Sequence, residues 1–285
     1  MYNKMDQRYS KPMDSKQPKS RINILKKGPL FTFFWAIMFF IIIFYLLLIY
    51  SLISYSDLET LLNVFRDPEF YFAIKFTLQT STLAIALATI VALPCGFLLS
   101  RYRFKGRAFF DTLFDIPIIL PPLVSGIALL IFFGPFLGNQ LARFGINAVF
   151  TPLGVVIAQW FIATPFAIKT FKHTFASLDR RMEKVARTLG FTPAMVFYRV
   201  TLPLAKNGII GGIIMAWARA LGEFGATAML AGITRMKTET LSVAVFLNMS
   251  IGDMKFALST ALVMLLIALF LLVIVKLFLS DGVQT

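Results

Sequence analysis

Six long apolar runs constrain this chain more than any other feature. They cover about Leu30–Ile53, Phe76–Leu99, Phe114–Phe133, Leu153–Phe171, Gly208–Leu230 and Phe256–Leu279. Each is long enough to cross a hydrocarbon layer that needs roughly 20 helical residues. Inside such a layer only helices satisfy every backbone group within one segment, so the runs predict an all-α bundle of six transmembrane helices. Composition agrees: 58% of the 285 residues are hydrophobic and the mean hydropathy is +0.78, too apolar for an ordinary water-soluble domain. The first run, about 24 residues, is too long for a signal-peptide core and lacks a small-residue cleavage site, so it is expected to remain as a membrane anchor.

The net charge of +14 would suggest nucleic acid in a soluble protein. Its distribution argues otherwise. Lys and Arg number 20 in residues 1–29, Arg101–Arg107 and Lys169–Lys206, against 6 in the three intervening segments. That bias orients the chain with both termini and the segment around Glu183 in the cytoplasm, and with Gly134–Phe150 and Ala231–Lys255 outside. Asp57, Glu59, Asp67 and Glu69 fall on the external side. Residues 1–29 form a basic tail without apolar periodicity, expected to be disordered. The single cysteine, Cys95, excludes an internal disulfide and any cysteine-based metal cluster. The single histidine, His173, cannot build a zinc site, so no metal is expected.

The largest internal interruption of the apolar pattern is EKVARTLGFTPAMVFYRVTLP, Glu183 to Pro203. Met182–Leu189 reads as a short helix with Ala186 and Leu189 on an apolar side, Lys184 and Arg187 on a charged one, and Gly190 where a helix would stop. Thr192-Pro193 reads as the cap and first position of a second helical piece, and Leu202-Pro203 ends the element. With Arg180 and Arg181, the short helix suits docking to a protein; adhesion to anionic lipid is the alternative.

Within the spans, Pro117, Pro121 and Pro122 point to a functional helix bend, whereas Pro94 and Pro165 taken singly read as packing irregularities. Gly208, Gly212, Ala216 and Ala220 recur every four residues and form a small-residue stripe for a closely approaching helix, in this chain or in a second copy. Arg219 and Glu223 share one face about midway along the fifth run. They either line an anion's route or form a neutralised structural pair. Asp111 and Asp115 are expected to balance Arg101, Arg103, Lys105 and Arg107.

The spacing from Gly190 through nine residues to Val200, then Leu202-Pro203, resembles the cytoplasmic loop of permease subunits of ABC importers. That family's Glu-Ala-Ala places hold Lys184, Val185 and Ala186 here, with Glu183 one position early. DIPIILPPLVSGIALLIFFG at 115–134, FTPLGVVIAQWFIATPFAIK at 150–169 and ARALGEFGATAMLAG at 218–232 extend the resemblance to the type I importer permeases over 72–279, and within them to the molybdate/tungstate branch. Gly-Ala-Thr at 225–227 leans towards molybdate rather than sulfate.

The resemblance implies a permease domain over 72–279, with a coupling loop at 172–206 whose residues Glu183, Lys184, Ala186, Arg187, Leu189 and Gly190 meet an ATPase. It further implies a prokaryotic cell membrane, a second copy of the chain, two ATPase subunits that carry the ATP and Mg, an external oxyanion-binding protein and surrounding lipid. The residues agree with that division of labour, since the sequence has no G-x-x-x-x-G-K-[ST] loop to cradle a nucleotide phosphate. A sulfate or thiosulfate permease is the neighbouring alternative. An ATP-independent channel would not require the ordered loop, and an intramembrane enzyme would require a catalytic pair that the runs lack. No catalytic residue is therefore assigned.

Overall fold

The computed structural model describes residues 29–56 and 58–280, so the basic tail through residue 28 and Asp57 lie outside the described residues. All regular structure among the described residues is helical. The chain divides into two units, 1–54 and 55–285. The first contains all but the last residue of α1, Pro29–Tyr55, one uninterrupted and strongly apolar helix.

The second unit holds the packed bundle. Its elements are α2 (Leu58–Val64), α3 (Pro68–Arg101), α4 (Arg107–Ile119), α5 (Pro122–Ile131), α6 (Gly138–Ala142), α7 (Pro152–Ser177), α8 (Arg180–Thr188), α9 (Pro193–Val196), α10 (Leu202–Leu221), α11 (Gly225–Leu230), α12 (Leu241–Ser250) and α13 (Met254–Ser280). Helices α1, α3, α7 and α13, and the continuous segment Pro193–Leu221, are each long and apolar enough to cross a membrane. A sixth span results if the bent pair α4–α5 counts as one.

α3 and α7 form the spine. α3 starts cleanly because Asp67 accepts hydrogen bonds from the Glu69 and Phe70 amides and Pro68 occupies the first helical position. The two helices meet closely at Gly96, where a Cβ would lie 2.9 Å from Phe171 Cβ and 3.0 Å from the Lys172 amide nitrogen. α10 lies against a neighbouring side of α7, with Phe171 common to both contacts, through the small-residue stripe. A Cβ on Gly212 would lie 2.8 Å from Thr170 Cγ2, and one on Gly208 would overlap Thr174. Ala216 and Ala220 are fully buried along the same line. The stripe therefore packs within the chain. In a bilayer, where lipid is as apolar as leucine, this close fit is the main source of helix association. Phe171 and Phe175 fill the space between α3, α7 and α10 with no exposed surface.

The fifth span departs from the apolar run at both ends. It begins before Gly208: α9, a π-helical turn at Phe197–Thr201 and α10 run on from Pro193. It stops at Leu221, because Gly222 leaves the helix and Phe224 adopts an irregular backbone before α11 begins.

Candidate functional site

α8 and its ends form a closed local unit. Asp179 caps its start by accepting from the Arg181 amide, 2.9 Å. At its end the Phe191 amide donates to the Ala186 carbonyl (3.2 Å) and the Gly190 amide to the Arg187 carbonyl (3.1 Å). These are the two bonds of a Schellman motif, and they require the left-handed conformation that Gly190 adopts at φ 86°. Thr192 then caps α9, with Pro193 at its first position.

The faces of α8 differ from the sequence expectation. Ala186 is buried, but Leu189 is exposed, because it follows the last helical residue and turns with the cap. Ala186 and Leu189 therefore do not share an apolar side. The outward apolar surface is Met182, Val185 and Leu189, with Lys184, Arg187 and Gly190 exposed beside it. Glu183 points inward. Its Oε1 lies 2.8 Å from Arg101 Nη2, at the end of α3, and accepts from Thr201 Oγ1 at 3.1 Å.

Because Arg101 is committed to Glu183, it does not balance Asp111 and Asp115. Those carboxylates lie along α4 where it passes the end of α7, and they pair with Lys172 at 2.6 Å and Lys169 at 2.9 Å. His173, near the end of α7, is exposed.

At the proline cluster, α4 and α5 meet at 109°. Pro117 lies inside α4, and the Leu120 amide still bonds the Ile116 carbonyl. The turn itself belongs to Pro121 and Pro122. A residue before proline is held extended, Pro121 is extended (φ −54°, ψ 138°), and Pro122 restarts the helix. The bend lays α5 against α11, where a Cβ on Gly126 would lie 2.8 Å from Ala226 Cα and one on Gly225 would lie 2.9 Å from Pro122 Cβ.

Arg219 and Glu223 form an ion pair at 2.7 Å, but not in mid-helix. Arg219 occupies the last turn of α10, and Glu223 lies beyond it. The physical reason is a competing bond. Glu223 Oε1 accepts from the Ala226 amide (2.9 Å) and so caps α11, while Oε2 accepts from Arg219 Nη1. Glu223 is 1% exposed and Arg219 31%, and the Arg219 guanidinium lies 5.9 Å above the Phe166 ring. Glu223 is thus occupied by structure, and Arg219 keeps a free edge. Ser125 Oγ on α5, both polar atoms of the Gln159 side chain on α7, and Thr227 Oγ1 on α11 are buried without hydrogen-bond partners.

Another charged group escaped the sequence reading. Arg235 pairs with Glu69 at 2.9 Å and donates to Asn248 Oδ1 at 3.3 Å, while Asn248 Nδ2 donates to Glu69 Oε1 at 3.3 Å. Glu239 is fully buried beside them, its Oε2 accepting from the Met236 amide at 2.9 Å. Burial, and then the neighbouring Glu69 carboxyl, push its pKa up to about 7. The available signal was Glu239 between Thr238 and Thr240, three polar residues directly before an apolar helix. Among the described residues no group of three or more His, Cys, Asp or Glu is arranged to hold a metal ion.

Comparison with known proteins agrees with this architecture. Residues 92–281 match the family described as the inner membrane component of binding-protein-dependent transport systems. The chain is 41% identical over 192 residues to a probable molybdenum ABC transporter permease protein of Haloferax volcanii, covering 66% of this chain and 69% of that protein. It is 35% identical over 212 residues to the sulfate transport system permease protein CysT of Salmonella typhimurium, covering 74% and 76%. Among solved structures, a chain of a bacterial alginate ABC transporter, crystallised in complex with an alginate-bound periplasmic protein, shares the fold at a TM-score of 0.67 and 16% identity, covering 89% of this chain and 96% of that one. The bent and packed spans, the helical segment between them and these matches together place the chain among the membrane-spanning permease subunits of type I ABC importers, in the inner-membrane component family of binding-protein-dependent transport systems.

Proposed function

We propose that this chain is the permease of an importer for molybdate or tungstate. In this reading two copies form the channel, each receives an ATPase subunit, and a separate binding protein delivers the oxyanion from outside. The observation that carries the coupling assignment is α8: a short helix closed at both ends that presents Met182, Val185 and Leu189, flanked by Lys184 and Arg187, exposed among the described residues. Such a surface fits a cleft in a partner, and the sequence has no phosphate-binding loop of its own. The charge asymmetry supports both termini and α8 on the cytoplasmic side.

Arg219 supplies the interior positive charge that a dianion would meet. Glu223, held by the α11 cap, moderates that charge, so an anion can leave as well as enter. A sulfate permease is the second reading, favoured by the identity to the sulfate permease protein. The test is uptake into proteoliposomes containing the chain, its ATPase and its binding protein, with internal molybdenum, tungsten and sulfur measured by mass spectrometry with and without ATP. ATP-dependent molybdenum or tungsten accumulation over excess sulfate is expected. Sulfur accumulation would move the substrate to the sulfate branch, and uptake indifferent to ATP would overturn the importer reading.

A further inference from the structure

Lys184 and Glu183 are adjacent, yet they face opposite ways. Lys184 is exposed on α8, while the Glu183 carboxylate meets a guanidinium whose side chain is 5% exposed. We infer that Glu183 is a positioning residue: it does not touch the ATPase but ties α8 to the ends of α3 and α10, so that displacement of α8 moves the bundle. The inference rests on the importer reading above.

Without such a tie, α8 would be weakly connected. It is joined to α7 through Leu178 and Asp179, and to α9 through the left-handed turn at Gly190. A push on α8 could be absorbed by rotation at those joints. The tie removes that freedom, because one carboxylate oxygen serves two spans. Arg101 is the last residue of α3, and Thr201, 1% exposed, immediately precedes α10.

Two further contacts converge on the same place. The Arg101 Nη1 and Nη2 atoms each lie 3.4 Å from the Leu178 carbonyl oxygen, on the joint between α7 and α8. Arg180 Nη2 donates to the Ser100 carbonyl at 3.0 Å. The end of α3, the α7–α8 joint and α8 therefore meet at one nearly buried guanidinium, and the start of α10 joins them through the carboxylate that pairs with it. Arg101 Nε is buried there without a partner. A charge in that setting is tolerable only while its carboxylate is present, so the two ends are strongly bound to each other.

The test uses the full complex in proteoliposomes and reads two quantities, ATPase copurification and ATP hydrolysed per oxyanion imported. A wild-type complex without ATP-dependent uptake would refute the importer reading on its own, before any variant is compared. Glu183→Gln keeps the side chain's size and an oxygen for Thr201, but it leaves the Arg101 charge without a counter-charge. The expected result is wild-type copurification with a hydrolysis-to-import ratio raised by ~10-fold or more. In Arg101→Gln/Glu183→Gln both charges are gone and the amides can bond to each other, so the ratio is expected to return to within ~3-fold of wild type. Loss of the ATPase from Glu183→Gln would make Glu183 a contact residue and overturn the inference, as would an unchanged ratio. Should the single variant fail to accumulate in the membrane, the double variant carries the test: recovered accumulation with a near-native ratio supports the tie, and failure to recover refutes it.

Discussion

Replacing Gly208 with alanine tests whether the small-residue stripe packs against α7 of its own chain. The added Cβ would overlap Thr174 Cγ2 and lie 2.6 Å from Thr174 Oγ1. Thr174 cannot simply rotate away, because its hydroxyl donates to the Thr170 carbonyl at 2.9 Å. Overpacking of this kind costs about 1–3 kcal/mol. Thr174→Ala removes both clashing atoms and leaves Thr174 Cβ, 3.1 Å away, as the nearest atom. Alone, Thr174→Ala loses packing worth about 1 kcal/mol.

In the double variant these penalties are not independent. The alanine methyl at 208 occupies space vacated at 174, so the combined cost is expected to fall short of the sum by about 1 kcal/mol or more. Equilibrium unfolding of the full chain in mixed micelles measures this, with Trp160 on α7 and Trp217 on α10 as fluorophores on the two helices concerned. Costs that add to within about 0.5 kcal/mol would mean that Gly208 and Thr174 do not oppose each other, and the stripe would have to face something else.

Gly190→Ala meets no atom within 4 Å, so its cost is purely the left-handed backbone, about 1 kcal/mol. Faster amide exchange across 186–192 and weaker ATPase copurification are expected, and unchanged exchange would count against the Schellman closure. Glu223→Ala removes the α11 cap and the Arg219 partner, costing about 1–2 kcal/mol, whereas Arg219→Ala lowers uptake and leaves assembly intact; unchanged uptake would remove Arg219 from the pathway. Glu239 is raised from 4.5 to about 7, so its stabilising contribution is present below 4.5 and is lost as pH rises through about 7. Glu239→Gln should therefore stabilise the connection after α11 above pH 7 and flatten its pH dependence in hydrogen exchange, and an unaltered profile would contradict the raised pKa of Glu239.

The spans were legible because the bilayer demands a length of apolar residues that little else produces. Their ends were less so. Lys206 and Asn207 interrupt hydropathy without interrupting the helix, and the fifth span accordingly starts earlier than the apolar run. Conversely, Leu221 to Gly225 reads as apolar but contains the break. Hydropathy cannot register that Glu223 prefers the Ala226 amide to a place in a helix. The Gly190 stop and the Thr192-Pro193 start were readable because caps are local chemistry. The directions of Glu183, Asp111 and Asp115 were not, because a helix period tells which residues share a face but not which distant residue that face meets.

Joining these points makes α10 more than one packed helix among others. Its 20 residues span about 30 Å. At one end Thr201 is bonded to the carboxylate that ties α8 to α3. At the other, Arg219 is bonded to the carboxylate that caps α11, and α11 in turn lies against the bent helix α5. Between them the stripe of small residues brings α10 close against α7 at Gly208 and Gly212. On the coupling proposed above, displacement entering at α8 would pass along α10 to the Arg219 end. The carboxylates at positions 183 and 223 do related work: each neutralises an arginine and bonds a second element, Glu183 through Oε1 alone and Glu223 through its two oxygens, so losing either is expected to uncouple the two ends of α10 before it unfolds the bundle.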